Sequence, residues 1–263
     1  MGFSERLRKA SLVGAFFVSA ALALPVHALC PAPQGLELQR VAQVIDGDTL
    51  RLDDGRSVRM IGLNTPERGR KGRSAEPFAE QATRNLRALV EASEGRVFVQ
   101  PGAESHDRYG RLLAHVYDSR GGNLEAEQLR AGLGYFVAAY PNAALVACHR
   151  AAERQAREAH LGLWRQAKAQ RPEAIRQGGF ALIRGRVMRV ERNRGGVWLE
   201  LDGPMVLQVS PRQLAGFDFA ALRKLEGRDV EVRGWVVDRQ GRKAKRQARW
   251  LLRLTHPAML EVR

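Results

Sequence analysis

Residues 44–49 read V-I-D-G-D-T, Arg59 follows, and N-T-P-E occupies 64–67. Two carboxylates, an arginine and a lone glutamate thus lie within one short segment. Further along, D-R-Y-G-R at 107–111 adds arginines around a turn glycine. Metal-assisted attack of water on a phosphodiester needs this inventory. Hard cations such as Ca²⁺ take oxygen ligands from carboxylates, carbonyls and water. The attacking water needs a base, and the negative charge that gathers at phosphorus needs fixed cations. No C-x-x-C, no H-E-x-x-H and no glycine-rich phosphate loop followed by lysine is present. His115, His149 and His160 lack metal-ligand spacing and are read as structural.

The elements that must position these groups can be read from periodicity. Short strands are expected at 40–45, 49–52, 57–63, 96–100 and 112–117, with a hairpin turn at Asp53-Asp54-Gly55. Amphipathic helices are expected at 76–91, 123–131 and 143–161, and a basic, glycine-punctuated loop at 68–74. Strands with a helix between them suit a small closed barrel with helical cover. Beyond Gly179 the pattern changes to short strands at 182–190, 197–201, 205–209, 229–237 and 250–254, with one helix near 218–225. That order suggests a second, smaller OB-like barrel, a scaffold that often binds oligonucleotides. Residues 239–249 form a basic tip, suited either to a phosphate backbone or to a solvated loop that discourages edge pairing. Trp235 and Trp250 are read as core residues, with stacking on bases as the alternative.

The three blocks, in this order and followed by G-L-W at 162–164, resemble the staphylococcal nuclease-like (thermonuclease) family over about residues 41–164. The resemblance implies an α+β, mainly β fold, with a five-stranded OB-type barrel carrying three helices. It implies a Ca²⁺-dependent endonuclease acting on DNA and RNA, leaving 3′-phosphate and 5′-hydroxyl ends. By resemblance, Asp48 is a calcium ligand and Thr65 offers its backbone carbonyl to the same ion. Glu67 is the general base, and Arg59 and Arg111 are the catalytic arginines. Arg108 and Tyr109 would hold the nucleic acid. Asp46 is assigned to the turn, since aspartate before glycine often caps its own backbone. Asn64 departs from the family, which usually has a second aspartate there. It keeps a carbonyl oxygen but loses a charge, so a weaker or more substrate-dependent metal site is expected.

The first residues carry a basic start (Arg6, Arg8, Lys9), an apolar run at 10–24 and Val26-His27-Ala28, a small-residue cleavage pattern. The run is short for a span of about 20 residues, so a signal peptide over 1–28 is expected, with an uncleaved anchor as the alternative. Removing 1–28 takes three cations and one anion (Glu5) from the formal charge of +15, leaving +13. Such a chain is drawn to polyanions. The expected organisation is a lead at 29–39, a nuclease-like domain at 40–166, a linker at 167–179 and the OB-like domain at 180–263. A periplasmic or secreted monomer, not inserted in the membrane after cleavage, follows. Export permits a Cys30–Cys148 disulfide, the one intramolecular pairing available, the alternative being a buried thiol. The rival functional classes are a catalytically weakened or inactive nucleic-acid-binding protein and an envelope module that binds acidic polymers.

Overall fold

The structure is a computed structural model, and it describes residues 30–69, 72, 74–240 and 248–263. The expected leader and most of the basic tip at 239–249 therefore lie outside the described residues. Among the described residues no helix is long and apolar enough to cross a membrane.

The first half is built from β1 (Leu38–Asp46), β2 (Thr49–Leu52), β3 (Ser57–Met60), β4 (Leu63–Asn64), α1 (Ala79–Ala92), β5 (Arg96–His106), β6 (Leu112–Tyr117), α2 (Leu124–Arg130), β7 (Tyr135–Phe136) and α3 (Val146–Glu158). Five of the strands close a barrel in the order β1-β2-β3-β6-β5. Alternation along each strand fills it: Leu50, Leu52, Val58, Met60, Val97, Val99, Ala114 and Val116 point inward and are buried. Leu86 and Val90 of α1 close one end. Helix α2 starts where Asn123 accepts the Ala126 N–H through its side chain, the usual role of an N-cap asparagine.

The strand expected at 57–63 breaks in the structure. Gly62 adopts a φ of +84°, open to glycine but costly to other residues. A β-carbon there would also collide with the buried His149 ring. The chain therefore turns, and β4 pairs with β7, Asn64 opposite Tyr135. This turn brings Thr65 to the β1–β2 turn, where its N–H donates to Asp48.

The second half comprises β8 (Gly179–Asn193), β9 (Gly196–Leu201), β10 (Met205–Val209), α4 (Phe219–Arg223), β11 (Asp229–Asp238), β12 (Trp250–Arg253) and β13 (Leu260–Val262). Its pairings repeat those of the first barrel. Strands β8, β9 and β10 are antiparallel neighbours, β10 meets β12 in parallel, and β12 returns through β11 to β8. In both cycles a helix separates the third strand from the fourth.

The two halves are in contact. Arg233 of β11 is 3% exposed and meets both carboxylate oxygens of Glu153 in α3, at 2.8 and 2.6 Å. Glu153 also accepts the Phe136 N–H at 2.7 Å. Ala156, Trp164 and Leu182 form a small apolar cluster beside this pair. The stretch read as a linker packs against the second sheet: Gln170 donates to Leu182 and accepts from Arg184 through backbone groups. Cys30 and Cys148 are bonded, with their α-carbons 5.8 Å apart, tying the chain ahead of β1 to α3. Closing a loop of 118 residues corresponds to about 5 kcal/mol in the chain-entropy description.

Candidate active site

The acidic turn between β1 and β2 is clamped from several sides. A β-carbon on Gly47 would fall 2.6 Å from Ala82 and 2.8 Å from the Thr65 hydroxyl, so only glycine fits between α1 and the 64–67 segment. The Gly47 carbonyl accepts from Gln128 Nε2 at 2.7 Å. Asp46 Oδ1 accepts the Asp48 N–H at 3.2 Å, a hydrogen bond internal to the turn.

Asp48 is 2% exposed, and its carboxylate is engaged on both oxygens. Oδ2 accepts the Thr65 N–H at 2.9 Å and Oδ1 accepts the Thr49 hydroxyl at 3.1 Å. The Arg59 guanidinium pairs with Oδ1. Strand register explains this meeting: Thr49 lies opposite Arg59, and the Met60 N–H donates to the Asp48 carbonyl. The other arm of Arg59 donates to the Leu63 carbonyl at 3.1 Å and to Asn64 Oδ1 at 3.4 Å. Asp48, Arg59, Asn64 and Thr65 thus form one contiguous group.

Burial pushes the Arg59 pKa down to about 10, and the neighbouring Arg111 adds to the fall. Asp46, Glu67 and Asp107 act in the opposite sense. The guanidinium stays charged at neutral pH. Parallel pairing of β3 with β6 explains the position of Arg111, because Val58 lies opposite Leu112. Glu67 is exposed; its N–H donates to Glu76 at 2.9 Å, and its carbonyl accepts the Glu76 N–H.

Arg111 is held by a residue that sequence reasoning did not single out. Asp107 Oδ2 accepts from Arg111 Nε at 2.7 Å, and Oδ1 accepts the N–H groups of Arg111 and Tyr109. Burial works to raise the Asp107 pKa, but these hydrogen bonds outweigh it and hold the carboxyl below its ordinary range. The signal was in the sequence, as an aspartate four residues ahead of arginine across a turn glycine. Arg108 and Tyr109 occupy the rim. Tyr109 is 68% exposed, with the Arg108 guanidinium 4.7 Å above its ring.

The histidines show a contact that their spacing does not reveal. His115 and His149, far apart in sequence, approach Glu125 closely enough that one ligand-type atom from each lies within 4.8 Å of the others. Spacing along one helix could not reveal a cluster assembled from β6, α2 and α3. Glu125 accepts from the Val116 N–H at 3.0 Å and from Asn123 Nδ2 at 2.6 Å, and His149 Nε2 meets Asn123 Oδ1 at 3.0 Å. Burial raises the Glu125 pKa. Burial, with His115 nearby, lowers His149 to about 3. His149 is therefore neutral at pH 7, and it braces the Gly62 turn that leads to Asn64.

Comparison with known proteins points to nucleases. Residues 57–166 match the family model described as staphylococcal nuclease homologue. Over those residues the chain is similar to the staphylococcal nuclease family. Among curated relatives, endonuclease YncB of Bacillus subtilis is 30% identical over 126 residues, covering 46% of this chain and 59% of that protein. The thermonuclease of Staphylococcus hyicus is 35% identical over 81 residues, 30% of this chain and 47% of its own length. An uncharacterized endonuclease of Escherichia coli O157:H7 is 28% identical over 132 residues, 49% of this chain and 77% of its own. The matches to the first two cover about half the length of each relative.

Proposed function

We propose that the protein is an exported, Ca²⁺-dependent endonuclease that hydrolyses phosphodiester bonds of DNA and RNA. The observation that carries this reading is the grouping of Asp48, Arg59, Asn64 and Thr65, with Glu67 and Arg111 acting on the same guanidinium. The donor set suits a hard cation, being a carboxylate, an amide oxygen and a backbone carbonyl. Asp48 and Asn64 already converge on one positive group, Arg59. Asp48, Asn64 and the Thr65 carbonyl would hold the ion. When bound, it would supply positive charge to a phosphate oxygen and help to order water.

The chain's own residues provide the rest. Glu67, exposed, takes the proton from the attacking water at its carboxylate. As the water oxygen bonds to phosphorus, the bond to the 5′ oxygen breaks, and that oxygen takes a proton from solvent. The planar forks of Arg59 and Arg111 hold non-bridging phosphate oxygens as charge builds on them. Asp107 fixes the Arg111 fork, so little reorganisation is needed at that step. Arg108 and Tyr109 grip the strand at the rim.

The test is plasmid and RNA degradation by the mature protein, with Ca²⁺ against chelator. Glu67→Ser, Arg59→Ala and Arg111→Ala should each cut turnover by about a hundredfold or more. Full activity in Glu67→Ser would remove it as the base, and equal cleavage in chelator would remove the cation. We also propose a mature N-terminus at Leu29 and a monomeric protein, which mass spectrometry and light scattering of secreted material read directly. One observation favours the second reading, a nucleic-acid binder with a weakened site: Arg59 already neutralises the one carboxylate of the ligand set. That protein would bind nucleic acid and leave it intact at saturating Ca²⁺.

A further inference from the structure

We infer that Trp235, contributed by the second barrel, is a stacking platform for an unpaired nucleobase of the strand being cut. This inference rests on the nuclease reading of the neighbouring site and specifies the form of substrate that the site takes. Sequence reasoning placed Trp235 in the core with Trp250. The structure separates them: Trp250 is 1% exposed, whereas Trp235 exposes 49% of its surface. Leaving that much indole in water needs a reason, because its ring is among the largest apolar surfaces a residue can bury.

Its position supplies one. Side chains alternate along β11, and Glu231, Arg233 and Trp235 lie on one face of it. Glu231 pairs with Arg157 at 2.8 Å and Arg233 with Glu153 at 2.6 Å, so this face lies against the first barrel. The next side chain along, Trp235, opens into a pocket of about 200 Å³ whose wall also includes Arg59. Arg59 and a partly exposed aromatic ring thus lie in the wall of one pocket, and single-strand sites combine cationic and aromatic groups.

The ring is also fixed in place. Phe180 lies opposite Trp235 in the β8–β11 ladder, their rings edge to face at 5.2 Å. Tyr135 stands 5.2 Å beyond Phe180, and its own ladder partner is Asn64. A run of aromatic rings thus connects the platform to the candidate ligand set.

The polar side chains of the wall are engaged elsewhere, and the Glu104 carboxylate pairs with Arg212 at 3.3 Å. Asn142 exchanges two hydrogen bonds with the Glu104 backbone, at 2.9 and 2.8 Å, and Thr255 donates to the Ala138 carbonyl at 2.6 Å. Such a pocket takes a base by its face and not by its hydrogen-bonding edge, so it discriminates weakly between bases. A base inside a duplex has both faces covered by neighbours. Only an unpaired or extruded base can reach the indole.

The test uses the mature full-length protein in chelator, so that binding is read without cleavage. Fluorescence anisotropy of labelled single-stranded and duplex DNA is measured for wild type, Trp235→Ala, Trp235→Leu and Trp235→Phe. Stacking on one ring predicts that Ala and Leu weaken single-strand binding by about tenfold or more, while Phe retains much of it. Duplex affinity should change little. With Ca²⁺ present, KM for single strands should rise in Trp235→Ala with kcat nearly unchanged. Single-strand binding as tight in Trp235→Leu as in wild type would overturn the platform, as would an equal loss on duplex. A protein that binds as described yet never cleaves would retain the platform and refute the nuclease reading; cleavage unaffected by any Trp235 change would do the reverse.

Discussion

Replacing Arg233 with methionine tests the ion pair that holds the second barrel against the first. Arg233 and Glu153 are 3% and 4% exposed, and one guanidinium nitrogen contacts both carboxylate oxygens. Methionine fills similar space but leaves Glu153 buried, with the Phe136 N–H at 2.7 Å as its remaining polar partner. Stranding a buried charge costs about 3–5 kcal/mol, against the 0–1 kcal/mol of an exposed pair. At about 2–4 °C per kcal/mol for a chain approaching this size, the melting temperature should fall by roughly 6–20 °C. Adding Glu153→Gln should recover part of the loss, since glutamine still accepts from Phe136 and no charge is stranded. Urea unfolding of both single variants and the double variant closes the cycle, with an expected coupling of about 1–3 kcal/mol. A cost below about 1 kcal/mol for Arg233→Met, or simple additivity in the double variant, would refute the reasoning.

Three further outcomes follow from the site. Asp107→Ala frees the Arg111 fork, and kcat should fall by about a hundredfold with KM less affected, because misplacing a catalytic group by about 1 Å costs that much; an unchanged kcat would mean that Asp107 does not position Arg111. Asn64→Asp restores a charge to the ligand set, and calorimetry should show Ca²⁺ binding tightened by about tenfold; no gain would remove Asn64 from that set. His149 titrates near 3 in the folded chain and near 6.5 unfolded, so between those values the unfolded state binds the extra proton and stability falls as pH falls. That contributes a loss of about 2 kcal/mol from pH 7 to pH 5. Glu125, its pKa raised by burial, contributes with the opposite sign, so the readout is the difference between wild type and His149→Gln in urea. Parallel pH profiles for the two would contradict a neutral buried His149.

The first barrel was legible in the sequence because its strands alternate cleanly and its turns carry D-G-D and D-D-G. What was missed shares one cause, namely contacts between residues distant along the chain. Gly62 reads as a strand residue until His149, brought over by α3, is seen to fill the space beside it. His115, Glu125 and His149 have unremarkable spacing and meet only in three dimensions. Trp235 sits in a strand whose neighbours Val236 and Val232 are buried, so local hydrophobicity suggested burial for it too. Its exposure depends on the two barrels packing so that this one position looks into a cleft. The roles of Asp48, Arg59 and Glu67 came from resemblance; the added physical content is that register alone puts Thr49 opposite Arg59, and thereby Asp48 beside it.

The repeated topology sharpens the case for a division of labour. In each barrel the third and fifth strands run parallel, β3 with β6 and β10 with β12. In the first, this seam brings Arg59 near Arg111, and the neighbouring hairpin turn carries Asp46 and Asp48. In the second, the paired seam positions include Val206 with Leu251 and Leu207 with Leu252. The hairpin equivalent to the acidic turn is Asn193-Arg194-Gly195-Gly196, where Asn193 Oδ1 accepts from Gly195 and from Trp198 Nε1. This turn itself, Asn193-Arg194-Gly195-Gly196, carries no carboxylate where the first barrel has Asp46 and Asp48. It can still attract a phosphate backbone. On the proposed reading, the first barrel supplies the groups for hydrolysis, and the second supplies charge and, at Trp235, a ring for the strand.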